Sequence, residues 1–372
     1  DHRDLHSFPT RRSSDLKRTN GMKNETLPIV GISCGDPNGI GIEVILKSLK
    51  DKRILNFFTP VIFCNNNLVS DQKKQLNLEI DQIKINLNQS PVVGKINIID
   101  VWDDDFVTTF GKPTTDSGTK SFLSLQSAVK ALINGNVNLL VTAPINKNNI
   151  QSEKFKFPGH TDYLAKELGG ESLMFMICDE LKIGLLTDHI PLKEINSHVT
   201  KKRIEQKFSL ISASLKKDFG LQKPKIAVLS IDPHVGDGGV IGDDDQDILK
   251  PALLDIASKN NLVFGPFSSD SFFGSGQHKK YDAVLAIYHD QGLIPFKTLS
   301  FGTGVNYTAG LNKVRTSPDH GTGYDIAGKG LADSTSFKNA IFSGIDILKS
   351  RKLYDDLNKN SLTSSNSKTG KK

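Results

Sequence analysis

Cysteine is scarce. The 372 residues hold three, Cys34, Cys64 and Cys178, far apart and odd in number. That excludes a disulfide framework and a CxxC motif, and it fits reduced thiols in a cytoplasmic protein. No apolar run approaches the roughly 18 to 20 residues that span a membrane, so no membrane partner is expected. GxGxxG, GxxxxGK[ST] and HExxH are all missing, which removes the usual local signatures of a Rossmann dinucleotide site, a P-loop and a zinc helix. Net charge is missing where a polyanion would need it. The formal charge is +6, but residues 1–21 carry five Lys/Arg against three Asp, and residues 351–372 carry six against two. Between Met22 and Ser350 there remain 36 basic and 36 acidic residues, a balance that argues against nucleic acid as a partner.

What is present is globular: 37% hydrophobic and 24% charged residues, in a chain long enough for two domains. Residues 1–21 have no apolar core of a signal peptide and no periodicity, and read as a non-native or disordered leader. The Ser/Asn/Lys-rich end, residues 356–372, reads as a disordered tail. Between them, apolar runs such as LPIVGISCG, PVIFCNN, KINIIDVW, VNLLVTAP, SLMFMICD, KIGLLTDHI, KIAVLSIDPH and DAVLAIYHD recur with helical patterns between them. Continuous apolar runs suit strands covered on both faces. One helix is expected in DSGTKSFLSLQSAVKALING, with Asp116 or Ser117 as cap and Gly135 as stop. Another is expected over 199–219, with Ile204, Phe208, Ile211, Leu215 and Phe219 facing a core. The alternation predicts an α/β fold with a largely parallel sheet.

Polar groups gather where ligands bind in such sheets, past the carboxyl ends of strands. Of nine histidines, two lie in the leader. His189, His234 and His289 each end an apolar run, as His160 does less cleanly, while His320 sits in a turn-like loop. Histidines so placed suggest metal ligands or acid/base groups, although any one alone reads equally as a hydrogen-bonded loop residue. GDPNGIGIE (35–43) is either a tight capped turn or a ligand loop. Lys297, Asn306 and Arg315 lie near two glycine-rich segments, FGTGVNYTAGL and RTSPDHGTGYDIAGKG, and suggest an anionic substrate; surface charge is the plainer alternative for each.

Taken together, GDPNGIGIEVILKSL, VTAPINK, FPGHTDYLA, LLTDHIPL, DPHVGDGGVIGDDD, YHDQGLIPFK and VNYTAGLNKVRTSPDHGTGYDIAGKGLADSTSF resemble the 4-hydroxythreonine-4-phosphate dehydrogenase family of pyridoxal phosphate biosynthesis. The last stretch is also similar to a loop of isopropylmalate and isocitrate dehydrogenases. The resemblance implies two α/β domains flanking a cleft, isocitrate/isopropylmalate dehydrogenase-like, and a homodimer with the active site at the subunit interface. By this analogy residues 22–150 plus 300–355 form a discontinuous first domain and 151–299 the second. His189, His234 and His289 match divalent-metal ligands, the third given by the partner subunit; Zn2+ suits three imidazoles, with Mg2+ or Co2+ as substitutes. His160, Thr161, Lys297, Asn306 and Arg315 match substrate-binding positions. His320, Gly321, Thr322 and Asp325 resemble the loop that meets NAD or NADP. Asp290 and Lys297 are the catalytic candidates. On a strand, His289 and Asp290 would point to opposite faces, so Asp290 is expected to serve something other than its neighbour. Asp188 and Asp237 stand where the pattern commonly has Thr and Glu.

The chemistry so implied is NAD-dependent oxidation of 4-phosphooxy-L-threonine at C3, then decarboxylation to 3-amino-1-hydroxyacetone phosphate. Three competing readings remain: a paralogous threonate or erythronate phosphate dehydrogenase, a metal-dependent hydrolase or lyase, and a non-catalytic binding module.

Overall fold

The structure is a computed structural model that describes residues 26–359. The expected leader and residues 360–372 of the expected tail lie outside the described residues; residues 356–358 continue the final helix, Thr335–Asn358. Twelve strands form one sheet: β1 (Ile29–Ser33), β2 (Thr59–Cys64), β3 (Gln82–Lys84), β4 (Ile96–Asp100), β5 (Leu139–Thr142), β6 (Gly170–Ile177), β7 (Lys182–Leu185), β8 (Lys225–Leu229), β9 (Leu262–Phe267), β10 (Ala283–Ala286), β11 (Val305–Leu311) and β12 (Arg315–Pro318). Their order is β3-β4-β2-β1-β5-β12-β11-β6-β7-β10-β8-β9.

The mixed α/β class follows from this sheet. Both flanks are parallel, and their inner apolar strands are buried on both faces; every residue of β2 and β10 is buried, whereas the edge strand β9 is not. The centre is different. β12–β11, β11–β6 and β6–β7 pair antiparallel, so the two parallel flanks run in opposite senses. Residues in FGTGVNYTAGL and RTSPDHG that read only as glycine-rich segments are two of these central strands. In β11, Val305, Tyr307, Ala309 and Leu311 are buried in strand alternation, but Asn, Thr and Gly between them disguise the period. In β12 the polar run Arg-Thr-Ser-Pro is wholly buried, a composition that signals a turn when taken alone.

The two expected helices form. The later one spans Lys201–Lys217 and buries Ile204, Phe208, Ile211 and Leu215. Phe219 lies just past its end, edge-on to Phe175 and Tyr307. The earlier helix, Thr115–Ile133, is capped not by Asp116 or Ser117 but by Thr114. Thr114 Oγ1 accepts from the Ser117 amide at 3.0 Å while Ser117 Oγ accepts from the Thr114 amide at 3.2 Å. This reciprocal box satisfies two orphan donors at once, which Asp116 cannot do. Gly135 ends the helix as expected, at φ 77°.

That helix fixes one wall of the cleft through a glycine. A Cβ on Gly118 would stand 1.9 Å from the carbonyl oxygen of Asn149, so the 146–150 loop, which carries Lys147, rests directly on the helix backbone. Gly→Ala inside a helix ordinarily stabilises by about 1 kcal/mol. Here Gly118→Ala is expected to destabilise by roughly 2–3 kcal/mol through overpacking, read as a lower denaturation midpoint with an unchanged denaturant slope.

Candidate active site

A cavity of about 580 Å³ opens over the antiparallel centre of the sheet. Its base is not confined to strand ends, as the sequence argument assumed. Met174 and Met176 of β6, Asn306 of β11, and Arg315 and Ser317 of β12 contribute from within their strands. His160, Thr161 and Lys297 complete the expected substrate set, and His189, His289 and Asp290 reach the same space.

Arg315 is the unusual member. It is 2% exposed. Its guanidinium donates to Thr142 Oγ1 from Nε (3.1 Å) and Nη2 (2.5 Å), and to Thr308 Oγ1 from Nη1 (3.0 Å). Among the described residues no carboxylate pairs with it. Burial pushes it down to about 9, which leaves it cationic at neutral pH. A buried, uncompensated cation is costly unless an anion arrives. Lys297, in the helix His289–Ser300, donates to the Asp319 carbonyl oxygen at 3.1 Å.

Several polar atoms facing this region have no protein partner. His160 Nε2, Asn306 Oδ1 and His320 Nε2 are buried without a hydrogen bond. Burial first, then the charges of Arg315 and Lys147, hold His160 well below its ordinary value, so its imidazole is neutral. His189 is lowered too, by burial and then by Lys147; Lys147 Nζ lies 3.5 Å from His189 Nε2.

The His189 and His289 rings stand 5.6 Å apart between centroids. His289 is not at the end of a strand: β10 stops at Ala286, and His289 is the first residue of the following helix. The expectation that strand alternation separates His289 from Asp290 therefore fails. On this helical turn His289 Nδ1 and Asp290 Oδ1 meet at 2.6 Å. His234 stands apart. It lines an adjoining cavity of about 740 Å³, with Asp232 and Asp270, which shares Asp290 and Ile294 with the first. Its loop is strained: His234, Val235 and Asp237 have φ of 52°, 60° and 45°, a region that a β-branched valine rarely enters. Among the described residues no three metal-binding side chains converge.

The proposed dinucleotide loop is divided. His320 and Gly321 line the cavity. The Thr322 carbonyl oxygen accepts from the Ile40 amide at 2.9 Å, and Asp325 is exposed outside the lining. Lys147 and Thr142 escaped the sequence reading. Both lie in VTAPINK, where an apolar run ends in polar residues, the same signal that picked out the histidines.

Residues 56–343 match the family described as Pyridoxal phosphate biosynthetic protein PdxA. The chain belongs to that family. It is 43% identical over 324 residues to the 4-hydroxythreonine-4-phosphate dehydrogenase of Bacteroides thetaiotaomicron, covering 87% of this chain and 89% of the relative. It is 32% identical over 327 residues to an Oceanobacillus iheyensis protein assigned as a D-threonate 4-phosphate dehydrogenase, covering 86% and 98%. The crystal structure of the Klebsiella pneumoniae 4-hydroxythreonine-4-phosphate dehydrogenase superposes with a TM-score of 0.75 at 31% identity, covering 88% of this chain and 99% of that one. As a PdxA-family chain it is an enzyme, an oxidoreductase of the dehydrogenase class.

The contrast between two buried arginines is testable. Arg351 pairs with the buried Asp218 at 2.6 Å. Arg351→Met strands that carboxylate and should cost about 3–5 kcal/mol. Arg315→Met strands no opposite charge, so its unfolding free energy should change by no more than about 1–2 kcal/mol, while kcat/KM for a phosphorylated substrate falls about 100-fold or more. Denaturant unfolding and initial rates on both variants check the pair.

Proposed function

We propose that this chain oxidises 4-phosphooxy-L-threonine at C3 and releases 3-amino-1-hydroxyacetone phosphate, using NAD or NADP and a divalent ion. The observation that carries the reading is Arg315: a buried guanidinium that, among the described residues, is held by the hydroxyls of Thr142 and Thr308 and by no carboxylate, in a cavity that also admits Lys147 and Lys297. Such a base suits a small substrate with anionic groups at more than one end.

The residues fit a divalent ion in part. His189 and His289 offer two imidazoles to one space, and Asp290 holds His289 Nδ1, the carboxylate support typical of a ligating imidazole. The resemblance gave His289 to the partner subunit; because His189 and His289 share one cavity while His234 lines the adjoining one, we take His234 as the third donor and as the ligand contributed across the interface of a homodimer. Zn2+ suits such a set best, with Mg2+ or Co2+ able to substitute. When bound, the ion lowers the pKa of a hydroxyl beside it. A nicotinamide dinucleotide, when bound, would supply the hydride acceptor.

The chain's own groups do the rest. Arg315 and Lys297 hold phosphate or carboxylate. Asn306 Oδ1 and the neutral His160 Nε2 offer acceptors to the substrate's amine and hydroxyls, and Thr161 adds a hydroxyl beside them. Asp290 keeps the proton of His289 on Nδ1, leaving Nε2 with its lone pair free. Loss of the hydroxyl proton and of the C3 hydride gives a 3-keto acid; its carboxylate leaves as CO2, the C1–C2 electron pair passes into the enolate, and C2 takes up a proton to give the aminoketone phosphate. The loop from His320 through Gly321 and Thr322 to Asp325 receives the dinucleotide. The two-domain division at 22–150 plus 300–355 and 151–299, and a cytoplasmic setting, belong to the same reading. A paralogous substrate, a phosphorylated threonate, is the second reading because of the Oceanobacillus relative.

Purified chain mixed with 4-phosphooxy-L-threonine and NAD should generate NADH absorbance that a chelator abolishes and added Zn2+ restores. A flat trace with metal present, against a rise with D-threonate 4-phosphate, would transfer the assignment to the second reading.

A further inference from the structure

The GDPNG turn and its aspartate have no part in the chemistry above. Asp36 is fully buried, and among the described residues no lysine or arginine pairs with it. Its carboxylate is instead saturated by neutral donors. Oδ1 accepts from the Asn38 amide at 2.9 Å. Oδ2 accepts from Asn149 Nδ2 at 2.7 Å, Tyr324 Oη at 2.8 Å and Ser117 Oγ at 3.2 Å. Its own amide donates to the Pro144 carbonyl oxygen at 2.9 Å. Carboxyl oxygens accept, so the Asn38 amide, the Asn149 side-chain amide and the Tyr324 hydroxyl each turn a hydrogen toward Asp36, while the Ser117 hydroxyl is shared with the Thr114 carbonyl oxygen at 3.0 Å.

These partners belong to different walls of the cleft. Pro144 and Asn149 bracket the loop whose Lys147 lines the cavity, and Tyr324 closes the loop whose His320 and Gly321 line it from the other side. The backbones interlock at the same place. A Cβ on Gly39 would stand 2.7 Å from the Thr322 carbonyl oxygen, and one on Gly35, at φ +70°, 2.3 Å from that of Pro144.

We infer that Asp36 is a positioning residue that sets the 320–325 wall against the 144–149 wall of the catalytic cleft, so that the two loops answer to one buried side chain. The Tyr324 phenol, raised by burial and then by its bond to Asp36, stays protonated and can only donate there. The two sides carry different ligand ends. Loosening Tyr324 therefore affects nucleotide binding before substrate binding, and loosening Asn149 does the reverse. The assignment of ligands to walls rests on the function proposed above; the coupling of the walls does not.

The test uses the full chain with Tyr324→Phe, Asp36→Asn and the double variant, read by hydrogen exchange without ligand and by calorimetric affinity for NADH and for 4-phosphooxy-L-threonine. Tyr324→Phe should speed exchange in 320–325 about tenfold and weaken NADH by about tenfold, with substrate affinity within about twofold. In the Asp36→Asn background the same change should add almost nothing. Equal loss for both ligands, unmoved exchange at 320–325, or full additivity of the two substitutions would overturn the inference. Wild-type chain that fails to bind NADH would contradict the nucleotide assignment alone, since the exchange comparison still decides the coupling.

Discussion

Arg315 carries a positive charge into the middle of the sheet, and no carboxylate of the described chain meets it. Desolvating a guanidinium costs several kcal/mol, and hydroxyl dipoles repay only part of that. The cleft inherits this debt: the site is completed electrostatically only when an anion enters. The surrounding features follow from that requirement. His160 is kept neutral by burial and by the neighbouring cations, so it adds no further repulsion. Asn306 Oδ1 and His160 Nε2 remain unpartnered, which is tolerable where a polyfunctional ligand supplies hydrogens.

The sheet explains how such a residue can be held. A buried polar strand needs backbone partners, and β12 has them on both sides, pairing with β5 at Arg315 and Thr316 and with β11 at Thr316, Ser317 and Pro318. The antiparallel centre also brings side chains from β6, β11 and β12 to one cavity, while each flank delivers loops from its own strand ends. Thr142 and the loop to His160 come from one half of the sheet, and His189, His289 and Lys297 from the other. Asp36 then ties two of the loops together with neutral hydrogen bonds, a firmer device than exposed ion pairs, which water and salt weaken.

Much of this was legible in the sequence, for physical reasons. Continuous apolar runs such as VNLLVTAP and DAVLAIYHD read as strands in any context, and polar residues at the ends of such runs singled out His189 and His289, while Lys297 and Arg315 were singled out by their nearness to two glycine-rich segments. β11 and β12 were not legible as strands, because their burial depends on tertiary partners that satisfy Asn306, Thr308 and Arg315. The helical placement of His289 and Asp290 escaped because a Tyr-His-Asp-Gln run has no strong propensity and Pro295 obscures the helix behind it. Asp36 read as either a turn or a ligand loop; only the fold shows that its partners come from residues 117, 149 and 324, separations that no local pattern records. The position of His234 depends on a left-handed backbone run, which sequence patterns at this glycine density do not specify.

The anion that Arg315 binds is the most direct point to measure. A crystal structure of the complex with 4-phosphooxy-L-threonine decides it. The expected result is a phosphate or carboxylate oxygen within hydrogen-bond distance of the guanidinium, with Thr142 and Thr308 still in place. Substrate bound in the cavity with Arg315 contacting only the two threonines would contradict the claim that the buried cation is the anion site.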